Sequence, residues 1–321
     1  MRDAYNREID YMRISITDRC NLRCRYCMPE DIKNIPMTEL LTYEEITQIV
    51  KIAVTLGIRK IKITGGEPLV RKDVDCLIRM LKETEGIENV TMTTNGVLLA
   101  EKIQELREAG LDGVNVSLDT VDKDEFQKIT GQDALEQVLE GIEVAIENIP
   151  YVKINTVLRP ELTKQQLLRL TEYVQSKKID TRFIELMPIG LGKKENGMSG
   201  EQVFCILEEQ YGTFIKNVNR HGNGPAVYYD NPEFVGNVGF ISALHGKFCS
   251  TCNRIRMNAV GGIKPCLCYG ETSNLKEPLR NGDSGRVKEI IREAIQSKPK
   301  EHCFNRPEQI TEKQRMSSIG G

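Results

Sequence analysis

The stretch YMRISITDRCNLRCRYC, residues 11–27, joins a predicted β-strand directly to a loop that carries three cysteines. The strand covers YMRISIT (11–17), and the cysteines follow with the spacing Cys20-x3-Cys24-x2-Cys27. A tight loop can turn three such thiolates inward onto one metal centre. This stretch therefore predicts the first strand of the fold together with a metal site at its end.

Six short β-rich runs, of which YMRISIT is the first, alternate with amphipathic segments from residue 11 to residue 186. The first of these segments opens with Thr42-x-x-Glu45, which is typical of a helix N-terminus because the two side chains can cap each other's backbone amides. Strand–helix units of roughly 30 residues predict a parallel sheet with right-handed connections. The repeat fits a doubly wound sheet as well as a barrel. The other predicted strands are KIKIT (60–64), VTMTT (90–94), GVNVSLD (113–119), VKINTVL (152–158) and TRFIEL (181–186).

The strand–helix alternation stops near residue 190. A loop rich in Gly and Lys spans 189–200, a predicted helix covers 200–211, and paired short strands surround a second cysteine group. We therefore predict two domains, residues 1–190 with an α/β architecture and residues 191–321 with a smaller α+β architecture.

The composition is that of an ordinary globular protein. Hydrophobic residues make up 40% and charged residues 28% of the 321 residues, and the formal net charge is -2. This balance creates no field that would draw the whole chain onto nucleic acid or an anionic membrane. The N-terminus has no apolar signal region, and no apolar run approaches the roughly 20 residues that span a bilayer. We expect a cytoplasmic protein without nucleic-acid or membrane partners.

The chain contains ten cysteines, and dense groups of them lie near opposite ends. A cytosolic compartment keeps thiols reduced, so metal binding or catalysis is a better interpretation than a disulfide framework. Structural zinc usually takes four protein ligands, whereas a four-iron cluster on three thiolates leaves one iron open for substrate or cosubstrate. The first loop has three thiols, which favours the cluster. Fortuitous thiols and a zinc site closed by a distant cysteine are the alternatives.

The second cysteine group lies in FCSTCNRIRMNAVGGIKPCLC, residues 248–268. Its spacing is Cys249-x2-Cys252-x13-Cys266, and Cys268 follows two residues later. Spacing alone is also typical of a zinc ribbon with four thiolates on two turns.

Two arginines, Arg254 and Arg256, follow Cys252 on one face of a predicted strand. A structural zinc site needs no such cations, whereas a site for an anionic ligand does. Further cations lie on the strands predicted in the first domain. If they converge on one interior, a polyanion such as a nucleoside triphosphate must offset their burial. These cations are Arg13, Lys60, Lys62, Lys153 and Arg182.

The three-cysteine loop, with Tyr26 before its last cysteine, resembles the signature of the radical S-adenosylmethionine (SAM) enzymes. ITGGEPL (63–69), directly after the second strand, is similar to the superfamily motif that holds the methionine end of SAM. The resemblance implies a partial (β/α)6 TIM-type barrel, a [4Fe–4S] cluster and a 5′-deoxyadenosyl radical released from SAM. It places Cys20, Cys24 and Cys27 on the cluster, and the SAM contacts are Tyr26, Gly65, Gly66, Glu67 and Ser117.

Nearly the whole chain resembles one family, the molybdenum cofactor biosynthesis protein A family of GTP 3′,8-cyclases. The matching stretches are YMRISITDRCN, KIKITGGEPLVRKD, TTNGVLL, VNVSLDT, VKINTV, RFIELM, FCSTCNRIR, PCL and the final Gly-Gly. The resemblance implies that the radical abstracts hydrogen from the GTP ribose and that the sugar closes onto guanine C8. The implied product is (8S)-3′,8-cyclo-7,8-dihydroguanosine 5′-triphosphate. Its formation would be the first step of pterin formation for the molybdenum cofactor.

This resemblance also implies roles for single residues. In the smaller domain, a second [4Fe–4S] cluster facing guanine is implied on Cys249, Cys252 and Cys266, and Met187 is implied near SAM. Catalytic roles are implied for Arg13, Arg254, Arg256 and for the tail, Gly320 and Gly321, which is thought to reach the active site. The implied GTP contacts are Arg13, Lys60, Lys62, Thr93, Lys153, Arg182, Arg254 and Arg256.

The implied partners are GTP, a downstream cyclic pyranopterin monophosphate synthase and an external electron donor, and a homodimer is one expectation for the assembly. Cys268 is extra to the family's pattern, and Lys62 stands where the family often has arginine. Two alternatives stay open. A peptide-modifying radical SAM protein would usually carry more cysteines in its C-terminal domain. A zinc-ribbon protein for nucleic acid would usually show a basic excess, which the net charge of -2 does not provide.

Overall fold

The computed structural model describes residues 1–28, 32–194, 197–219 and 222–319. Its strands are β1 (Tyr11–Ser15), β2 (Lys60–Thr64), β3 (Asn89–Thr94), β4 (Gly113–Ser117), β5 (Tyr151–Leu158), β6 (Asp180–Glu185), β7 (Ile215–Lys216), β8 (Val227–Asp230), β9 (Val238–Ile241), β10 (Arg254–Met257), β11 (Gly262–Lys264) and β12 (Ser273–Asn274). Its helices are α1 (Tyr43–Val54), α2 (Val74–Lys82), α3 (Leu99–Glu108), α4 (Lys123–Thr130), α5 (Leu135–Asn148), α6 (Lys164–Gln175), α7 (Gly200–Tyr211), α8 (Lys276–Arg280), α9 (Ser284–Gln296) and α10 (Met316–Ile319). None of the helices within these ranges is both long enough and apolar enough to cross a bilayer.

The strands form one sheet in the order β12-β11-β10-β1-β2-β3-β4-β5-β6-β9-β8-β7. From β1 to β6, each strand pairs in parallel with the strand that follows it in the chain. Such sequential order is that of a barrel, whereas a doubly wound sheet reverses its strand order near the middle. The predicted partial (β/α)6 barrel is confirmed.

The predicted and observed strand bounds agree to within two residues, and β1 ends at Ser15 rather than residue 17. The predicted capping box at the start of α1 is also present. The Glu45 amide donates to Thr42 Oγ1 at 3.2 Å, and the Thr42 amide donates to Glu45 Oε2 at 2.8 Å. These two bonds satisfy amides that the first helical turn leaves without a partner.

Alternation along β2 separates two environments. Ile61 and Ile63 belong to the main hydrophobic core, which also contains the apolar faces of the surrounding helices. Lys62 and Thr64 are on the other face, which is the interior of the barrel. The hydrophobic effect therefore fixes the register of the strand, and the register directs these polar side chains inward.

The C-terminal part of the chain extends the same sheet at both edges. β9 pairs in parallel with β6, and β10 pairs in parallel with β1. Hydrogen-bonded pairing is therefore continuous across residue 190, where the sequence predicts a domain boundary. That boundary stays a prediction.

Candidate active site

The two cysteine groups lie at opposite ends of the barrel because β1 and β10 run in parallel. The first group follows the C-terminal end of β1. Cys249 and Cys252 precede the N-terminal end of β10, and Cys266 follows β11, which runs antiparallel to β10 and so returns to the same end. The topology thus separates the two groups by the length of the barrel.

A single cavity of about 830 Å³ connects the two ends. Both cysteine groups line it. Of the predicted site residues that the structure describes, Lys60 is absent from the lining, and its Nζ pairs with Asp10 Oδ2 at 2.6 Å. Gly320 and Gly321 lie outside the described residues. The predicted residues in the lining are Arg13, Cys20, Cys24, Tyr26, Cys27, Lys62, Gly65, Gly66, Glu67, Thr93, Ser117, Lys153, Arg182, Met187, Cys249, Cys252, Arg254, Arg256 and Cys266.

The first cysteine loop is held by its own backbone, by the end of helix α4 and by the Asn95 side chain. The Cys27 amide donates to Cys24 O at 2.9 Å. Cys20 Sγ accepts a hydrogen bond from the Leu22 amide at 3.4 Å, and Asn95 Nδ2 lies 3.7 Å from the same sulfur. Burial, reinforced by the nearby Cys20 thiol, raises the pKa of Cys27 to about 12. Three crowded thiols of this kind ionise readily only beside a positive centre.

The Gly-Gly-Glu motif packs directly against the start of this loop. The Gly66 amide donates to Thr17 O at 2.7 Å, and a side chain at Gly66 would place its Cβ 2.3 Å from Arg19 O. Glycine is therefore the residue that allows this close approach. Glu67 is buried and accepts hydrogen bonds from Thr94 Oγ1 at 2.7 Å and from the Asn95 amide at 2.6 Å. Burial raises the pKa of Glu67 to about 7.

Tyr26 is fixed in the cavity wall by a carboxylate on the neighbouring strand end. Its hydroxyl donates to Asp119 Oδ2 at 2.8 Å, and Asp119 Oδ1 accepts from the Val157 amide at 2.8 Å. Burial, together with the Asp119 charge, raises the pKa of Tyr26 well above its usual range, so the phenol stays protonated.

Three cations stand side by side across neighbouring strands. Arg13 of β1 lies opposite Lys62 of β2 on one side and opposite Arg256 of β10 on the other. Burial, reinforced by Arg13 and Arg254, lowers the pKa of Arg256 to about 9. Burial likewise lowers the pKa of Arg13 to about 10 and that of Lys62 well below its usual range. An anionic ligand would relieve this repulsion.

Lys153 and Arg182 line the same cavity from β5 and β6. Lys153 Nζ pairs with Asp180 Oδ2 at 2.5 Å and donates to the Tyr228 hydroxyl at 3.0 Å. Arg182 is buried, and within the described chain its Nε has no hydrogen-bond partner. A buried guanidinium N–H of this kind is suited to an acceptor on a ligand.

The thiols of the second group lie among cations. Burial opposes ionisation of Cys252, but the Arg254 guanidinium and the Lys298 ammonium outweigh burial and lower the pKa of Cys252 to about 7. Burial raises the pKa of Cys249, although the His302 amide donates to its sulfur at 3.4 Å. One thiol of the group is therefore prepared to bind metal as a thiolate near neutral pH.

Comparison with known proteins agrees with this arrangement. Residues 14–174 match the family model described as Radical SAM superfamily, and residues 179–304 match the one described as Molybdenum Cofactor Synthesis C. The chain is 44% identical to the GTP 3′,8-cyclase of Clostridium perfringens (strain SM101 / Type A), with 100% of both chains covered. It is 40% identical to that of Pelotomaculum thermopropionicum, again over 100% of both chains.

The chain belongs to the GTP 3′,8-cyclase family of radical SAM proteins. The resemblance predicted from the sequence is therefore confirmed.

Solved structures show how the fold of this GTP 3′,8-cyclase family member relates to other radical SAM proteins. Streptococcus suis SuiB bound to S-adenosylmethionine superimposes with a TM-score of 0.63 at 15% identity, over 84% of this chain and 64% of that one. Native anSMEcpe with bound AdoMet gives a TM-score of 0.60 at 16% identity, over 92% of this chain and 82% of that one. At such identities the comparison concerns the fold alone.

The first cysteine group fits the cofactors of the radical SAM family, which are SAM and a [4Fe–4S] cluster. The three thiols face one cavity, and burial raises the pKa of each. A cationic cluster would supply the positive charge that stabilises their thiolates. The close approach at Gly66 leaves the neighbouring wall free of side-chain bulk. Cys20, Cys24 and Cys27 would hold the cluster.

Cys268, the cysteine extra to the cyclase family pattern, lies outside the cavity lining. It is fully buried, and its Sγ lies 2.7 Å from Sγ of Cys303, which is also buried. Burial raises the pKa of Cys268 above the normal range of thiols. The zinc-ribbon interpretation needs four thiolates around one site, and this placement does not support it.

Four residues of this site in the cyclase family member were not predicted from the sequence. Asn95 contacts the first group, Asp119 fixes Tyr26, and Lys298 and His302 contact the second group. Asn95 and Asp119 follow the C-terminal ends of β3 and β4 within quoted motifs, which is a signal that sequence reasoning could have used. Lys298 and His302 lie in an irregular tail and carry no such signal.

Proposed function

We propose that this protein converts GTP to (8S)-3′,8-cyclo-7,8-dihydroguanosine 5′-triphosphate in molybdenum cofactor biosynthesis. One observation carries the proposal: a single cavity joins a radical SAM cysteine loop at one end to a cation row and a second cysteine group at the other. A substrate for this cavity needs a polyanionic part for the cations and a ribose that reaches toward SAM. GTP meets both requirements.

The cation row is suited to the triphosphate. Arg13 and Arg256 offer planar guanidinium groups that can bind phosphate oxygens in pairs, and Lys62, beside Arg13 on β2, adds a point charge. Because Lys62 and Arg256 are buried and Arg13 is half-buried, their bonds to phosphate form in a medium of low dielectric and are strengthened. These residues would therefore fix the position of GTP along the barrel axis.

At the other end the chain binds and orients. When bound, SAM and the cluster supply the one-electron chemistry that removes a hydrogen atom from the substrate. Gly66 permits close approach of a ligand to the backbone, and Tyr26, locked by Asp119, forms a rigid wall beside the cysteines. Such rigidity keeps the reacting atoms in one geometry.

We infer that Cys249, Cys252 and Cys266 hold a second [4Fe–4S] cluster at the substrate end. The three thiols line the cavity, and the neighbouring cations favour the thiolate form of Cys252. Three protein ligands would leave one iron for the substrate base. The match of residues 179–304 to the Molybdenum Cofactor Synthesis C family supports this inference.

The proposed reaction also implies partners for the protein. The reaction needs an electron from an external donor, and its product would pass to a cyclic pyranopterin monophosphate synthase. Reduced thiols and oxygen-sensitive clusters suit a cytoplasmic location. A homodimer is proposed as the assembly and is tested by sedimentation.

The test is product analysis after anaerobic incubation of the reconstituted protein with SAM, a strong reductant and GTP, in parallel with ATP and GMP. We expect 5′-deoxyadenosine and a cyclised guanine nucleotide, both dependent on GTP. SAM cleavage that no nucleotide stimulates would move the substrate to the peptide class. No cleavage with a loaded first cluster would contradict the radical mechanism.

The C-terminal Gly320 and Gly321 are proposed to take part in catalysis. The preceding helix α10 supports this role, because Met316 lines the cavity and the Ser317 backbone acts on the Cys27 thiol. Removal of the two glycines should abolish product formation and leave the iron content unchanged. Full activity of the truncated chain would contradict the role.

A further inference from the structure

A buried lysine from the C-terminal tail links two of the turns that carry the second cysteine group. Lys298 Nζ donates to Arg254 O at 2.9 Å and to Pro265 O at 2.7 Å. These carbonyls lie two residues after Cys252 and one residue before Cys266. The same ammonium acts electrostatically on the Cys252 thiol, and its side chain is buried. Two N–H donors of the ammonium therefore hold the turns that carry the second group.

A buried arginine from the N-terminal segment contacts the third thiol-bearing position in the same way. One terminal nitrogen of Arg7 donates to Cys249 O at 2.8 Å and to Lys300 O at 3.0 Å. The other donates to Pro299 O at 2.7 Å. Asp3 holds the guanidinium from the far side, with 2.6 Å between Nε and Oδ2. Arg7 thus joins the backbone of Cys249 to the tail segment that carries Lys298.

Together the two cations connect all three thiol-bearing positions of the second group through one tail segment. We propose that Arg7 and Lys298 are positioning residues that hold Cys249, Cys252 and Cys266 in the geometry that binds the second iron–sulfur cluster. The inference rests on the second cluster proposed above.

The need for such residues follows from the sequence separation of the ligands. Cys266 is 14 positions from Cys252, so two separate turns must be kept together. Charged donors make stronger hydrogen bonds to carbonyls than neutral donors do, and burial of both cations protects these bonds from water. Residues that orient metal ligands from outside the coordination shell typically contribute 10- to 100-fold in metal affinity.

The experiment measures iron in full-length variants after anaerobic reconstitution. The wild-type chain should hold about eight iron atoms, and K298M and R7M should fall toward about four while the first cluster is retained. K300M is the matched control, because the Lys300 side chain is exposed and only its carbonyl meets Arg7. It should keep about eight iron atoms, like the wild type.

A second readout separates positioning from a general loss of stability. Under chelator challenge, K298M should release iron from the second cluster about 10- to 100-fold faster than the wild type. K298R, which keeps the charge and donors, should be intermediate, and the electron paramagnetic resonance signal of the second cluster should shift in it. If K298M does not fold, K298R carries the test, and wild-type release with an unshifted signal would overturn the inference.

The outcomes also separate this inference from the proposed function. K298M and R7M chains that keep about eight iron atoms and release them at the wild-type rate overturn the positioning role alone. A wild-type chain that holds only about four iron atoms overturns the second cluster and this inference with it.

Discussion

The two ends of the cavity each present three thiols but differ in the charge that surrounds them. The first group lies beside Glu67 and Asp119, and burial there raises the pKa of Cys27 to about 12. At the second group, the nearby cations lower the pKa of Cys252 to about 7. The first group thus depends on its bound cluster for positive charge, whereas the second has cations of its own.

Removing one thiol from each end should produce the largest effects and separate the two roles. C24A should lose both 5′-deoxyadenosine and the cyclised nucleotide, because the loop then lacks a cluster ligand. C252A should lose the cyclised nucleotide but keep about four iron atoms on the first group. Product analysis and iron determination check both, and C76A, an exposed thiol, is the control. SAM cleavage by C24A at the wild-type rate would contradict the assignment.

Removal of Arg256 tests the difference in charge between the two ends of the cavity. R256M should weaken GTP binding by about 10- to 100-fold, since a hydrogen bond to a charged group contributes about 1.5–3 kcal/mol. The same change should raise the Tm of the ligand-free protein by about 2 °C, because it relieves repulsion with Arg13 and Arg254. Titration calorimetry with GTP measures the binding, and scanning calorimetry of the ligand-free protein measures the Tm. R286M, on the exposed face of α9, should change neither. A lower Tm would show that Arg256 stabilises the empty fold.

The thiol pKa values predict different pH dependences for alkylation of the metal-free protein. The reactive form is the thiolate, so labelling of Cys252 should rise about tenfold per pH unit and level off above about pH 7. Labelling of Cys27 should still be rising at pH 10, because its pKa lies near 12. Iodoacetamide pulses with peptide mass spectrometry follow each site. K298M should move the pH midpoint of Cys252 labelling upward. Identical pH midpoints for Cys252 and Cys27 would contradict the difference in charge between the two groups.

The smallest effect is expected at Cys268. C268A should keep the iron content and activity of the wild type, because Cys268 lies outside the cavity lining and contacts Cys303. Loss of a small buried side chain should lower the free energy of unfolding by about 1 kcal/mol. Iron analysis and denaturant melts check these values. Loss of the second cluster in C268A would make Cys268 a ligand.

Most of the barrel and its first cysteine site could be predicted because the signals are local. Alternation of apolar and polar residues marked the strands, and Thr42 and Glu45 marked the first helix. Cys20, Cys24 and Cys27 belong to one loop, so their spacing alone indicated a shared centre. The sheet then brings Arg13, Lys62 and the C-terminal arginines into one interior, and their contact with GTP stays a prediction.

What could not be predicted depends on contacts between distant segments. Lys60 and Lys62 lie on the same face of β2, yet Lys60 pairs with Asp10, the residue before β1, and is absent from the cavity lining. Cys268 and Cys303 meet across 35 residues, and nothing in their spacing announces a partner. Lys298 acts on backbone carbonyls, which every residue possesses, so no sequence pattern could mark its targets.

The bond from Arg7 to the Cys249 carbonyl joins residues 242 positions apart, and this separation has a consequence for biosynthesis. Chains are made from the N-terminus at about 5–20 residues per second, so Arg7 waits about 10–50 seconds for its acceptor. Residues 299 and 300, which accept the other bonds from Arg7, are synthesised later still. The first cysteine loop is therefore synthesised long before the contacts that complete the second group can form.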